Sequence, residues 1–232
     1  MPCGAAAHEQ GLITLPASRN TVARRRPDFP ATPASDAQAR LLQPVHELGP
    51  LTLRLVSTVP VSRLRNEYVQ RYHYLGYTAM SGSQLRYNVY AGDQLVALLS
   101  FGASAWKLAA RDTFIGRHSA QRLKNLHPVV NNARFLILPW IQCKGLASKI
   151  LSIVNRQLPI DWQQRYGFKP VLLETFVERE CHRGTSYKGA SWIHVGKTAG
   201  RGKKSHVHQQ IVPIKDISLY PLRRNFRVTL CA

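Results

Sequence analysis

Three apolar runs decide most of what this chain can become. QLVALLSF (94–101), NARFLIL (132–138) and PVLLETFV (170–177) are short, nearly continuous apolar segments bounded by turn residues or proline. Runs of that length read as strands, and the most apolar of them read as central strands covered on both faces. QLRYNVY (84–90) precedes the first, across Ala91-Gly92-Asp93, which is hairpin chemistry. Between the second and third, GLASKILSIVNRQ (145–157) places Leu146, Ile150, Ile153 and Val154 on one face of an amphipathic helix. LTLRLVST (51–58) alternates like a strand, and Val61 to Tyr72 has helical spacing. AWKLAARD (105–112), Ser119 to Leu126 and Pro159 to Tyr166 are expected as short helices, and SWIHVG (191–196) as a short strand. A last extended segment is expected near Gln210 to Ile214, with Tyr220-Pro221-Leu222 closing the core. The order is that of a mixed α/β domain, a central mixed sheet flanked by helices.

Charge narrows the partners. The chain has 32 Lys and Arg against 12 Asp and Glu, a formal net charge of +20, and its 44% apolar content is enough to bury one core. The excess lies almost wholly after residue 50, where 27 basic residues face eight acidic ones. A body with that field attracts a polyanion, and nucleic acid is the expected partner, the charge by itself not choosing between DNA and RNA. Residues 1–48, rich in Ala, Pro and Arg, read as a flexible segment, and 49–232 as the folded domain. No apolar run reaches the roughly 20 residues of a membrane span, and the N-terminus does not read as a signal peptide, so a soluble, cytoplasmic protein without a membrane partner is expected. The cysteines Cys3, Cys143, Cys181 and Cys231 lie far apart without a CxxC pair, which argues against a disulfide framework and a zinc site. Eight acids in the body are too few for a two-metal centre, and His194, His206 and His208 form only a weak ligand set, so no metal is expected.

The junction FLILPWIQCKGLASKIL (135–151) carries the first chemical signal. A strand ends, a short loop follows, and a helix begins with small residues in its first turn. Free amides and the positive helix end make an anion seat there. Gln142-x-x-Gly145-x-Ala147, with Lys144 between, resembles the Q/R-x-x-G-x-G/A pattern of the GNAT acyltransferase fold. That resemblance implies a site for the pyrophosphate of acetyl-CoA or a related acyl donor, held by Gln142, Lys144, Gly145 and Ala147. Cys143 beside it is read as a small buried hydrophobe in preference to a nucleophile.

Further along, ETFVERECHRGTSYKGASWIHVG (174–196) resembles the segment of phage Mom-type DNA adenine modification enzymes in which an acidic residue is followed by G-T-x-Y-x-A-x-x-W. By that likeness Glu178 takes the place of the acid and Tyr187 that of the tyrosine, and both are candidate catalytic residues. Gly189-Ala190 departs from the pattern. A carboxylate can orient or deprotonate an exocyclic amine, and a tyrosine can donate a proton or stack on a flipped base. Tyr187 and Trp192 as core aromatics, with Glu178 a solvated acid, is the competing reading.

Over about residues 50–225 the chain resembles the Druantin A family through HYLGY (73–77), LVALLSFGASAWKLAARDTFIG (95–116), RLKNLHPVVNNARFLILPW (122–140) and GTSYKGASWIHVGKTAGRGK (184–203). Arg117 stands where that family's pattern has tryptophan. The likeness implies an anti-phage defence or mobile-element context, with other defence-system or transposase proteins as partners. Nucleic-acid contacts are expected from Arg117, Arg122, Lys124, Lys197, Arg201, Lys203 and Lys204. Tyr72, Tyr74 and Tyr77, interleaved with His73, either stack on bases or pack in the core. Two functions remain open at this stage: acyl transfer to DNA, and non-catalytic nucleic-acid binding within a defence or transposition complex.

Overall fold

The expected hairpin forms, and both of its strands lie inside the sheet and not at its edge. In the computed structural model the described residues are 28–200 and 212–232. Strands β2 (Gln84–Ala91) and β3 (Gln94–Ala103) pair antiparallel around Gly92, whose φ of +57° is left-handed backbone that glycine adopts without steric cost. Strand β1 (Leu51–Leu55) pairs with β2, and β4 (Val129–Ile137) with β3. Strands β5 (Leu172–Glu178), β6 (Ile193–Lys197) and β7 (Lys215–Pro221) complete a seven-stranded sheet of order β1-β2-β3-β4-β5-β7-β6. Every neighbouring pair is antiparallel except β4 and β5, which are parallel. A parallel pair needs a crossover, and α4 (Leu146–Tyr166) supplies it.

Helix α1 (Val59–Tyr72) covers one face of β2 to β4, and α4 covers the other. The cross-strand row Arg86, Ser100 and Arg134 lies on the α1 face, where Arg65 Nη2 donates to Ser100 Oγ at 2.6 Å. The neighbouring row Tyr87, Leu99 and Phe135 lies on the α4 face, where the Tyr87 hydroxyl donates to Asp161 at 2.7 Å. Short helices α2 (Ala109–Ile115), α3 (Ser119–Lys124), α5 (Thr185–Gly189) and α6 (Phe226–Leu230) fill the connections and the end of the chain. The core has two parts. The larger joins α1, α4 and β2 to β4; the smaller joins Ile115, Leu172, Ile217, Leu219, Phe226 and Leu230.

Several elements differ from the sequence reading, each for a physical reason. The helix expected over 105–112 forms at Ala109–Ile115, because the Ala105 amide and carbonyl are engaged by Glu174 and Arg111 and hold the chain out of helical geometry. The two helices expected at 145–157 and 159–166 are one helix containing Pro159. An interior proline costs about 3 kcal/mol. Leu158 and Trp162 continue the buried stripe beyond it, and each buried side chain of that kind contributes about 1.5–3 kcal/mol, so packing wins. Residues 31–48 lie against the body: Ser35 is buried and donates to Glu67 Oε1 at 2.6 Å, while Leu41 bridges to Ile141. The extended segment expected at 210–214 lies partly outside the described residues, and β7 begins after it. Helix α6, not anticipated, buries Phe226 and Leu230. No helix among the described residues is long and apolar enough to cross a membrane.

Candidate active site in the cleft between β4 and β5

The parallel pairing of β4 and β5 is short. Register runs from Val129 opposite Leu172 to Asn132 opposite Thr175, yet β4 continues to Ile137 and β5 to Glu178. The strands part because β4 carries a bulge: Ser100 pairs with Arg134 and Phe101 with Asn132, leaving Ala133 without a partner and bending the strand. Leu138 N donates to Val96 O, so the antiparallel alternation turns the backbone groups of Phe135 and Ile137 toward the side that β5 has left. A cavity of about 630 Å³ opens there, walled by β4, β5, the 182–187 segment, the His73–Leu75 turn and Ala147.

Tyr187 forms the floor on the α4 face. Its ring meets Trp192 edge-on at 5.1 Å and Phe135 at 6.4 Å. Its hydroxyl accepts from Thr175 Oγ1 at 3.3 Å. The Asn132 amide nitrogen donates to Arg134 O at 3.0 Å and Ser100 O at 3.3 Å, and its oxygen accepts from the Tyr187 hydroxyl at 3.1 Å. Burial pushes the phenol up to about 12, so it stays protonated at any working pH. Tyr187 is therefore a packed aromatic whose neutral hydroxyl-bearing ring also lines the cleft.

Glu178 does not converge with Tyr187. Thr175 and Val177 share the Tyr187 face of β5, and strand alternation puts Glu174, Phe176 and Glu178 on the other. Glu178 is nearly buried and holds Lys215 Nζ at 3.3 Å, directly across from it on β7. Lys215, and not Glu178, lines the cleft. The pairing of Glu178 with Tyr187 as neighbours in sequence is undone by the pleat.

At the start of α4, Gly145 has φ +82°, backbone that favours glycine, and a Cβ there would stand 3.1 Å from Val45 Cγ1, a tight contact. Gln142 and Lys144 are exposed, and Ala147 faces the cleft. The amide of Gln142 donates to Leu41 O, that of Leu146 to Cys143 O and that of Lys149 to Gly145 O. The amides of Lys144, Gly145, Ala147 and Ser148 have no partner among the described residues. Cys143 is half-buried, its thiol donating to Leu41 O at 3.4 Å and pushed up by burial, the behaviour of a small hydrophobe.

The opposite rim is cationic and was not found from the sequence. His73, Arg134, His182, Arg183 and Lys215 line it, with Tyr74 stacked on His73 at 4.9 Å. These residues come from four separate segments, so no spacing pattern announces them. The His73 imidazole is pushed down to about 4 by burial and by Arg134, His182, Lys215 and Arg65, and its Nδ1 accepts from Leu75 N at 3.2 Å. The unfolded chain thus binds the proton more readily, and stability falls as pH drops from about 6.5 toward 4. Acidification from pH 7 to 5 is expected to lower the melting temperature of the wild type more than that of His73→Gln. Equal losses in parallel thermal melts would contradict this.

The expected nucleic-acid contacts divide. Arg117 is a correction: it is buried, with Nε donating to Asp112 Oδ1 at 3.0 Å and Nη1 to Asn125 O at 3.0 Å. Arg122 is mostly covered and reaches Asp112 Oδ2 at 3.3 Å. Both belong to an ionic network around Asp112 that a basic residue in sequence cannot reveal. Lys124 and Lys197 are exposed, away from the cleft lining. Arg201, Lys203, Lys204, His206 and His208 lie outside the described residues. Tyr72 donates to Ser35 O at 2.9 Å and packs on Trp140, whereas Tyr74 is exposed at the cleft. Among the described residues no three His, Cys, Asp or Glu side chains converge as a metal site.

A seven-stranded mixed sheet that parts between two parallel strands is the fold of the GNAT acyltransferases, and the first of the solved structures that follow bears this out. Aminoglycoside acetyltransferase AAC(6')-Ib in complex with coenzyme A is 12% identical, with 76% of this chain covering 96% of that one at a TM-score of 0.50. FeeM, an N-acyl amino acid synthase from uncultured soil microbes, is 11% identical over 78% of this chain and 94% of its own, with a TM-score of 0.45. The family model of Druantia protein DruA matches residues 8–220, and the chain belongs to that family, the defence family to which the ordered motifs pointed. The match begins well before residue 50, where the motif likeness starts. Comparison with curated proteins gives no match.

Proposed function

We propose that this protein binds an acyl-CoA-type donor along β4 and the start of α4, and transfers the acyl group to an amine of DNA entering from the cationic rim. The observation that carries this reading is the single cleft joining three things: the bare first-turn amides at Ala147, the vacated backbone edge at Phe135 and Ile137, and the Tyr187 hydroxyl. Those amides, the exposed Lys144 and a cavity of about 630 Å³ fit a diphosphate with an extended arm. A bound donor would supply an activated thioester. The acceptor nitrogen gains the acyl group, the carbon–sulfur bond breaks, and the amine proton ends on the thiol. A Tyr187 phenol near 12 is too weak an acid to protonate a thiolate outright. Its part is that of a hydrogen-bond donor to developing negative charge, with the O–H turning from Asn132 into the cleft. Glu178 fixes Lys215 on the rim and is a positioning residue. An exocyclic base amine is uncharged at neutral pH, so attack needs no prior deprotonation.

The test combines purified protein, acetyl-CoA and duplex or single-stranded DNA, with mass spectrometry of the digested nucleosides. An acetylated nucleoside is expected; absence of coenzyme A binding in calorimetry would sink the catalytic reading. Ala147→Glu puts a carboxylate among the first-turn amides and is expected to weaken coenzyme A by about tenfold or more, with the melting temperature little changed. Unchanged affinity would remove the α4 start from the donor site.

One observation favours the second reading, a non-catalytic DNA-binding subunit. Among the described residues no carboxylate lines the cleft beside Tyr187. DNA binding that weakens steeply with salt, without coenzyme A binding, would select it.

A further inference from the structure

Three arginines face one another on the α1 side of the sheet. Arg86, Ser100 and Arg134 stand directly across from each other on β2, β3 and β4, and Arg65 reaches down from α1. Arg65 is 2% exposed; its Nη2 donates to Leu99 O at 3.0 Å and Ser100 Oγ at 2.6 Å, while its Nε is buried without a partner among the described residues. Among the described residues Arg134 Nε is buried and unpartnered too, its Nη1 donating to Ala133 O at 2.7 Å, and Arg86 Nη1 donates to Ser62 Oγ at 2.8 Å. None of the three is in an ion pair among the described residues. Burial above all, then the neighbouring Arg86 and Arg134 against an opposing pull from Tyr77, pushes the Arg65 guanidinium down to about 9.

Elsewhere this chain pairs its buried arginines: Arg111 has Glu174 at 2.7 Å and Arg117 has Asp112 at 3.0 Å. Buried charge without a counter-charge is costly, and a missing anion explains it. The space between the arginines, about 20 Å³, takes one oxygen-sized group, and Arg134 lines both that space and the main cleft.

We propose that Arg65, Arg86 and Arg134 form a seat for one phosphate oxygen, supplied by the backbone phosphate of the nucleic acid strand whose base enters the cleft. This rests on the acceptor reading above and deepens it: the strand is gripped on the α1 face, opposite the Tyr187 floor. Arginine suits the task because its fork meets a phosphate with two donors.

The experiment uses the full chain with a fluorescent single-stranded oligonucleotide, with coenzyme A and with inorganic phosphate as separate arms. Arg86→Gln and Arg134→Gln are each expected to weaken the oligonucleotide about tenfold and to flatten the log affinity against log salt slope by about 0.7. Coenzyme A affinity in Arg86→Gln is expected to match the wild type, which assigns the phosphate to the strand. Loss of coenzyme A binding instead, with oligonucleotide affinity intact, overturns that assignment. Inorganic phosphate, against chloride at equal ionic strength, is expected to raise the melting temperature of the wild type and not of Arg86→Gln. An unchanged salt slope, or an equal phosphate response in both proteins, overturns the seat itself. If no acetylated nucleoside forms while these shifts appear, the seat stands and only the transferase reading fails.

Discussion

Tyr187→Phe is expected to lower the transfer rate by about a hundredfold to a thousandfold while leaving donor affinity within about twofold. That range is what removal of one donor to developing charge costs in a water-poor site. The ring packing on Trp192 and Phe135 is retained by phenylalanine, so the fold is not at issue. The lost hydroxyl leaves Asn132 Oδ1 and Thr175 Oγ1 short of one partner, a penalty of about 1–3 kcal/mol that thermal melts will register. The pH profile separates a donor from a titrating acid. With the phenol near 12, the wild-type rate is expected to show no alkaline fall that belongs to Tyr187 below about pH 10. A fall near pH 8 that Tyr187→Phe abolishes would mean that Tyr187 loses a proton during turnover, and the donor role would be wrong.

Glu174→Leu is expected to destabilise the protein by about 3–5 kcal/mol, roughly 6–20 °C in melting temperature for a chain of this size. Both ends of the pair are fully buried, Arg111 Nη1 standing 2.7 Å from Glu174 Oε2. Glu174 Oε1 also accepts from Ala105 N at 2.7 Å, which ties the segment after β3 to β5. Leucine fills much of the volume but leaves the Arg111 guanidinium buried with only Ala105 O and Asp112 to bond. Arg111→Met in the Glu174→Leu background removes the orphaned charge and is expected to recover most of the loss. A double variant no more stable than Glu174→Leu would show that the pair is not a closed electrostatic unit. The same network disposes of Arg117 as a surface residue: three arginines surround Asp112, and the sequence read two of them, Arg117 and Arg122, as nucleic-acid contacts.

What the order of residues determined here is the local part. Apolar runs gave the central strands and a mixed sheet, because strand burial depends on neighbours two apart. The Ile150 and Val154 stripe gave α4, because helix faces repeat within four residues. The pattern Gln142 to Ala147 located a turn with bare amides, since a strand–Gly–helix junction is itself local. Long-range packing decided the rest. It joined two helices across Pro159, turned Glu178 to the face opposite Tyr187, and buried Arg117. Above all it gathered His73, Arg134, His182 and Lys215 on one rim and set Arg65 over Arg86 and Arg134. The bulge at Ala133 parts β4 from β5, and only that divergence creates a cleft whose walls lie as far apart in the chain as residues 73 and 215. Charge is additive along a sequence, so the net charge of +20 was legible. Where that charge is unpaired depends on which side chains meet, and that is settled by the fold.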